Sequence, residues 1–197
     1  MPNLENNLEK IGLKSLDRAE RLAVQEEQFG LVNEVFLLRM QYAHLDQDLA
    51  FDRLLDRFIL NQTHMQREEK MHLAYAYLRR ELQEIHLKGK IFNLTELIEA
   101  TLKKYQIAVL DLMNYKSLYQ ILYIANEYAA INQNYGLIER YVRKTYQYIQ
   151  GLEKPKERHL YYHLYILYYL ANFNLRNKKF SESISYLQQM RMLMENS

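Results

Sequence analysis

The sequence predicts an all-α protein, a solenoid of antiparallel helical hairpins forming a single repeat domain over residues 1–197, and three observations predict it. Glycine occurs five times and proline twice, so turns and strand breaks are scarce, while 49% hydrophobic content supplies long apolar stripes. Those stripes recur at helical period rather than alternating. Third, the second helices of successive hairpins start near Asn3, Asp48, Asn93, Tyr135 and Phe180, a spacing of about 45 residues. A fixed period of that size marks hairpins that stack on their neighbours to bury a continuous core. A closed helical bundle is the alternative architecture.

The hairpins are expected at 1–28 (a partial unit), 30–61, 64–110, 114–150 and 156–197. Residues 4–27 read as a helix with Leu13, Leu16, Ala19, Leu22 and Ala23 on one side and Lys14, Asp17, Arg18 and Glu20 elsewhere. Leu31 to Leu45 follows, with a stripe through Val35, Leu38, Tyr42 and Leu45 and with Asp46 as the next cap. From Asp48 the stripe is Phe51, Leu54, Leu55, Phe58 and Ile59, then Met65, Leu73, Ala76, Tyr77, Leu82 and Ile85. No glycine or proline separates these two runs, so 48–86 reads either as one long helix or as two; a break or sharp bend near Asn61, with Thr63 as cap, is the favoured reading. Gly89 between Lys88 and Lys90 has the chemistry of a helix C-terminus.

Asn93 or Thr95 caps the next helix, which carries Leu94, Leu97, Ile98, Leu102 and Tyr105. Another helix starts near Asn114, buries Leu118, Ile121, Leu122 and Ala125, and ends in the polar run Asn132 to Asn134. Tyr135 opens a helix with Ile138, Tyr141, Val142 and Tyr146 on one side, stopped by Gly151 and Pro155. The final hairpin packs Leu164, Leu167, Leu170 and Ala171 of one helix against a stripe of Phe180, Ile184, Leu187 and Met190 or Arg191 of the next, with Ser181 or Ser183 serving its first backbone donors.

Within that hairpin, Leu167, Leu170, Ala171, Phe180, Ser183 and Leu187 supply large, large, small, aromatic, small and large residues in an order that resembles the tetratricopeptide repeat. The preceding unit aligns with it, pairing Ala125 with Ala171, Asn126 with Asn172 and Tyr135 with Phe180. The chain departs from the family pattern at Asn174, where an aromatic is usual, and at Lys178, where glycine is usual; its repeat is also longer than the family's roughly 34 residues. The resemblance implies a right-handed solenoid and a non-enzymatic scaffold that binds a protein or peptide in its groove. It places the groove-lining positions on Tyr165, Tyr168, Asn172 and Arg176, and in the preceding unit on Tyr119, Leu122, Asn126 and Ala129. Asparagines at the positions of Asn126 and Asn172 often hydrogen-bond a peptide backbone in that family. It also admits a peptide-sensing regulatory domain of a bacterial regulator, although no DNA-binding helix-turn-helix is evident near the N-terminus.

Composition narrows the remaining chemistry. The 26 basic and 24 acidic residues leave a net charge of +2, too balanced to favour nucleic acid. Zero cysteines removes disulfides and thiolate sites and fits the cytoplasm. His159, His163, Asn172 and Asn174 interrupt the apolar run between Arg158 and Arg176, which argues against a membrane span. His159 and His163 are spaced to reach one metal ion, and Glu69 and His72 have the spacing of a di-iron ligand pair. The first pair lacks the adjacent glutamate of a zinc protease, the second lacks its partner pair, and no phosphate loop or nucleophile elbow is present. No catalytic residue, metal or cofactor is therefore expected, a metal-dependent helical-bundle enzyme being the remote alternative. The basic pairs Arg79–Arg80, Lys103–Lys104, Arg143–Lys144 and Lys178–Lys179 read as solvated helix ends. Finally, Phe180 to Glu195 carries apolar residues on more than one face, an expected surface for a homodimer or for further repeats.

Overall fold

The computed structural model describes residues 2–45, 50–88, 93–151 and 157–195, and among them it is all-helical, without a strand. Eight α-helices follow one another: α1 (Pro2–Gln25), α2 (Phe29–Gln41), α3 (Phe51–Lys88), α4 (Leu94–Lys104), α5 (Tyr115–Ile131), α6 (Glu139–Gln150), α7 (Leu160–Arg176) and α8 (Phe180–Glu195). Short 3-10 turns at Ala43–Leu45, Val109–Leu112, Tyr135–Ile138 and Glu157–His159 lie between them. Backbone contacts divide the chain into two compact units, Met1–Glu69 and Lys70–Ser197, with the division falling inside α3.

The break favoured near Asn61 is absent, because α3 runs unbroken through it. Thr63 does not cap a helix there; its hydroxyl donates back to the Ile59 carbonyl at 3.2 Å, inside the same helix. Asn61 is buried and donates its side-chain amide to the Phe29 carbonyl at 2.9 Å. A polar run that reads as a turn thus serves as a cross-helix tie. Asp46, Asp48, Gly89 and Pro155 lie outside the described residues.

In Met1–Glu69, α1 packs on α2, and Ala23, Val32, Phe36 and Leu54 form a small core edged by Met40 and Phe58. The expected stripe of α2 is shifted: Leu38, Tyr42 and Leu45 are exposed, and Val32, Asn33, Val35 and Phe36 are buried. In α1, Leu22 is exposed while Glu20, assigned by sequence to the charged side, is 7% exposed. Its carboxylate is ion-paired with Arg39 at 3.0 Å and with Arg57, whose guanidinium also lies 5.2 Å over the Phe36 ring.

In Lys70–Ser197, Leu78, Leu82 and Ile85 of α3 join a core built around Leu122, Ile124, Ile138, Ile166, Leu167 and Leu170. A satellite cluster of Ala74, Ile107 and Leu112 adjoins α4. Leu73 and Ala76, placed by sequence on the packed side of α3, are exposed instead. The caps follow the sequence closely: Asn93 Oδ1 accepts from the Thr95 backbone, and Asn114 Oδ1 accepts from Ser117 at 2.9 Å. Helix α5 packs on α6 and α7, and α7 packs on α8.

Four helices, α1, α4, α5 and α7, end in one and the same way. The second residue after the helix has a positive φ, at Glu27 (53°), Gln106 (54°), Gln133 (51°) and Lys178 (61°). In each case the following backbone N–H donates to a carbonyl five residues back, as Lys179 does to Asn174 at 2.8 Å and Asn134 to Ala129 at 3.0 Å. This double closure satisfies helix-end carbonyls and is normally made with glycine. Lys178 therefore occupies a left-handed backbone conformation that glycine adopts more readily.

Helix α8 packs differently from its expected register. Ser183, Tyr186, Met190 and Leu193 face the core, and Ser183 donates to the Ala171 carbonyl at 2.9 Å rather than to its own helix start. Burial and the neighbouring Tyr146 push the Tyr186 hydroxyl up to about 12. Phe180 and Leu187, expected as packing residues, are 58% and 49% exposed.

Candidate functional site

Of the residues singled out by sequence, Tyr119, Tyr165, Tyr168 and Asn172 lie on one tyrosine-rich face of the second unit. Helical spacing puts Tyr161, Tyr165, Tyr168 and Asn172 along one side of α7. Tyr119 of α5 meets that side: its ring centroid lies 6.1 Å from Tyr161, 5.5 Å from Tyr165 and 6.2 Å from Tyr169. Within α7, Tyr161 and Tyr165 are 4.8 Å apart and Tyr165 and Tyr168 are 6.5 Å apart. Most of these pairs meet edge to face or tilted, the arrangement that the ring quadrupole favours.

The face has a buried base and an open rim. Tyr169 is buried, which raises its hydroxyl well above the ordinary phenol value. Tyr161, Tyr165 and Tyr168 remain 55%, 40% and 48% exposed. Apolar ring area is thus held in fixed geometry with its outer edge in water.

Asn126 and Asn172 are brought together. Asn172 donates to Asn126 Oδ1 at 3.1 Å, and Asn126 in turn donates to the Leu122 carbonyl at 2.9 Å. Asn126 is 5% exposed, so it positions Asn172 from below instead of facing solvent. The Asn172 side-chain oxygen, Oδ1, accepts no bond among the described residues, which leaves an acceptor at the edge of the tyrosine face. Leu122 and Ala129, expected as groove-lining residues, are both 0% exposed and belong to the core, where no ligand can reach them. Arg176 is exposed, and its guanidinium lies 5.7 Å over the Tyr135 ring, beside a separate cavity of about 540 Å³ that also includes Asn177.

Sequence reasoning missed how α3 contributes. Tyr75 lies 6.2 Å from Tyr123, which lies 6.4 Å from Tyr169, so the ring chain continues across three helices. Burial and the nearby Tyr119 push the Tyr75 hydroxyl up to about 12. Arg79 sits over both Tyr75 and Tyr123, at 5.8 and 5.6 Å. It is one of the basic residues read as a solvated helix end, and only the folded helix pair reveals its ring partners. Beside it, Ala76, Arg79 and Gln83 of α3 and Tyr123, Glu127 and Ile131 of α5 line an open cavity of about 800 Å³. Other basic residues are likewise placed over rings, Lys104 lying 4.1 Å over Tyr77.

The histidine pair lies elsewhere. Tyr115 packs against both, 5.1 Å from His159 and 5.4 Å from His163. Burial lowers the His163 pKa, holding the imidazole neutral, and neither its Nδ1 nor the buried Tyr115 hydroxyl has a hydrogen-bond partner among the described residues. No group of three or more His, Asp or Glu side chains converges among the described residues. Nor is any described helix long and apolar enough to cross a membrane. No protein-family model, curated protein or solved structure matches the chain.

Proposed function

We propose that the chain is a non-enzymatic helical-repeat scaffold of tetratricopeptide type, a right-handed solenoid that holds an extended peptide or a partner helix on its tyrosine face. The observation that carries this reading is the half-exposed row Tyr161, Tyr165 and Tyr168 beside the fixed Asn126–Asn172 pair. Tyrosine offers large apolar area with a polar tip and little rotamer freedom to lose, which suits it to recognition surfaces. The open Asn172 oxygen would accept a peptide N–H, and Arg79, at the end of the ring chain, would favour an acidic residue in the ligand. The absence of cysteine fits a cytoplasmic setting.

Selection from a random peptide library against the wild-type chain tests the reading, followed by titration of the enriched peptides against a Tyr168→Ala/Asn172→Ala variant whose helicity is checked by circular dichroism. Binding should fall at least about tenfold, the loss of roughly 1.4 kcal/mol of contact. Equal binding by the folded variant would sink the groove.

A further inference from the structure

Helix α8 carries two apolar stripes, and among the described residues one is packed and the other exposed. Ser183, Tyr186, Met190 and Leu193 pack inward. A second stripe, Phe180, Ile184, Leu187, Arg191 and Met194, advances by alternate steps of four and three, the spacing of a seam between two helices. Its apolar members are 58%, 54%, 49% and 58% exposed in that order. Arg191 is the single charge in the row; its side chain is 78% exposed and bonded to Glu195 at 2.7 Å.

We propose that this stripe is a homodimerisation surface on which the α8 helices of two copies pair antiparallel about a two-fold axis passing between Ser185 and Tyr186. That axis sets Ile184 of one copy against Leu187 of the other, and Phe180 against Arg191. In this register each apolar residue near the axis meets an apolar residue, and the single guanidinium lies over an aromatic ring, so the stripe is complementary to itself. A parallel pairing would instead oppose Arg191 with Arg191 inside the seam, a like-charge contact that an isologous interface avoids. An uncharged apolar helix of another protein would fit the three leading residues but leave Arg191 without its ring. The near-neutral chain, at +2, puts up little general repulsion against self-association. One helix face falls short of the roughly 1,200 Å² of a stable standard interface, so the dimer is expected to be weak, dissociating in the micromolar range.

Sedimentation velocity of the full chain over micromolar concentrations tests the surface, and a monomer at the highest of them overturns it. Leu187→Glu should abolish the dimer while leaving the far-ultraviolet spectrum unchanged, since Leu187 lies off the packed face; a folded Leu187→Glu chain that still dimerises overturns the proposal. Leu187→Met should retain it. Because the natural chain has no cysteine, disulfide trapping reads the register directly. Mixed Ile184→Cys and Leu187→Cys chains should cross-link faster than either chain alone. Faster self-linking of Leu187→Cys would establish the parallel arrangement and overturn the register.

Discussion

In Met1–Glu69 a handful of core side chains, Ala23, Val32, Phe36 and Leu54, close around a buried carboxylate, Glu20, that is held by Arg39 and Arg57. In Lys70–Ser197 the core is far larger, its buried polar residues, such as Thr101, Asn126 and Asn174, are uncharged, and tyrosines rather than ion pairs cover its edge. Both units are all-helical among the described residues, yet one is specified by charge and the other by ring packing. The difference teaches where each is vulnerable, and where a surface is left over for binding. A ring that shields a core and keeps its edge in water can also receive a ligand; an ion pair already satisfied cannot.

The largest effects should separate the two kinds of core. Leu170→Ala, at a site with no exposure, should cost about 4 kcal/mol through lost burial and a residual cavity. Glu20→Ala should cost about 3 kcal/mol, because Arg39, whose side chain is 12% exposed, loses its buried partner and is left with the more exposed Asp17. Hydrogen exchange would locate the two losses, at the amides of α5 and α7 for the first and of α1 and α2 for the second. A Glu20→Ala chain as stable as the wild type would remove the contrast.

A smaller effect has the opposite sign. Lys178→Gly relieves a left-handed backbone at φ 61° and should stabilise by about 1 kcal/mol, measured as a higher urea midpoint with unchanged slope. Gln133→Gly, in the equivalent turn, should do the same.

The smallest effect is a pH dependence. Burial lowers the His163 pKa, so the unfolded chain takes up that proton more readily than the folded one. Stability from this group is therefore fully present above the ordinary histidine value of about 6.5 and falls as the pH drops below it. His163→Gln should flatten the fall in urea midpoint between about pH 7 and 5; an unchanged slope would show that the imidazole is already accessible.

Much of the helix order was legible because caps and breakers act locally: Asn93, Asn114, Asn132 to Asn134 and Gly151 all mark real helix ends. What failed depends on tertiary contact. Asn61 reads as a turn residue, and the Phe29 carbonyl that satisfies its buried amide lies on another helix, out of sight of any local pattern. Glu20 reads as surface, since its arginines lie far along the chain, one on α2 and one on α3. Helix α8 offers two apolar stripes at the same period, and the sequence pattern alone has no means of choosing the one that packs; Ser183, small enough to let α7 approach, decides it. At the candidate site the exposed tyrosines of α7 were legible from helical spacing, whereas the bond between Asn172 and a buried Asn126, both expected as separate peptide contacts, and the roles of Tyr75, Tyr123 and Arg79 required the α3, α5 and α7 side chains to be seen together.

The most direct measurement is a calorimetric titration of a library-selected peptide against three folded chains: wild type, Tyr165→Ala/Tyr168→Ala, and Leu110→Ala, whose side chain is 83% exposed and lies off the tyrosine face. The expected result is a loss of at least about tenfold for the tyrosine pair and none for Leu110→Ala, tenfold corresponding to 1.4 kcal/mol. Equal affinities for all three chains would contradict the assignment of recognition to the tyrosine face.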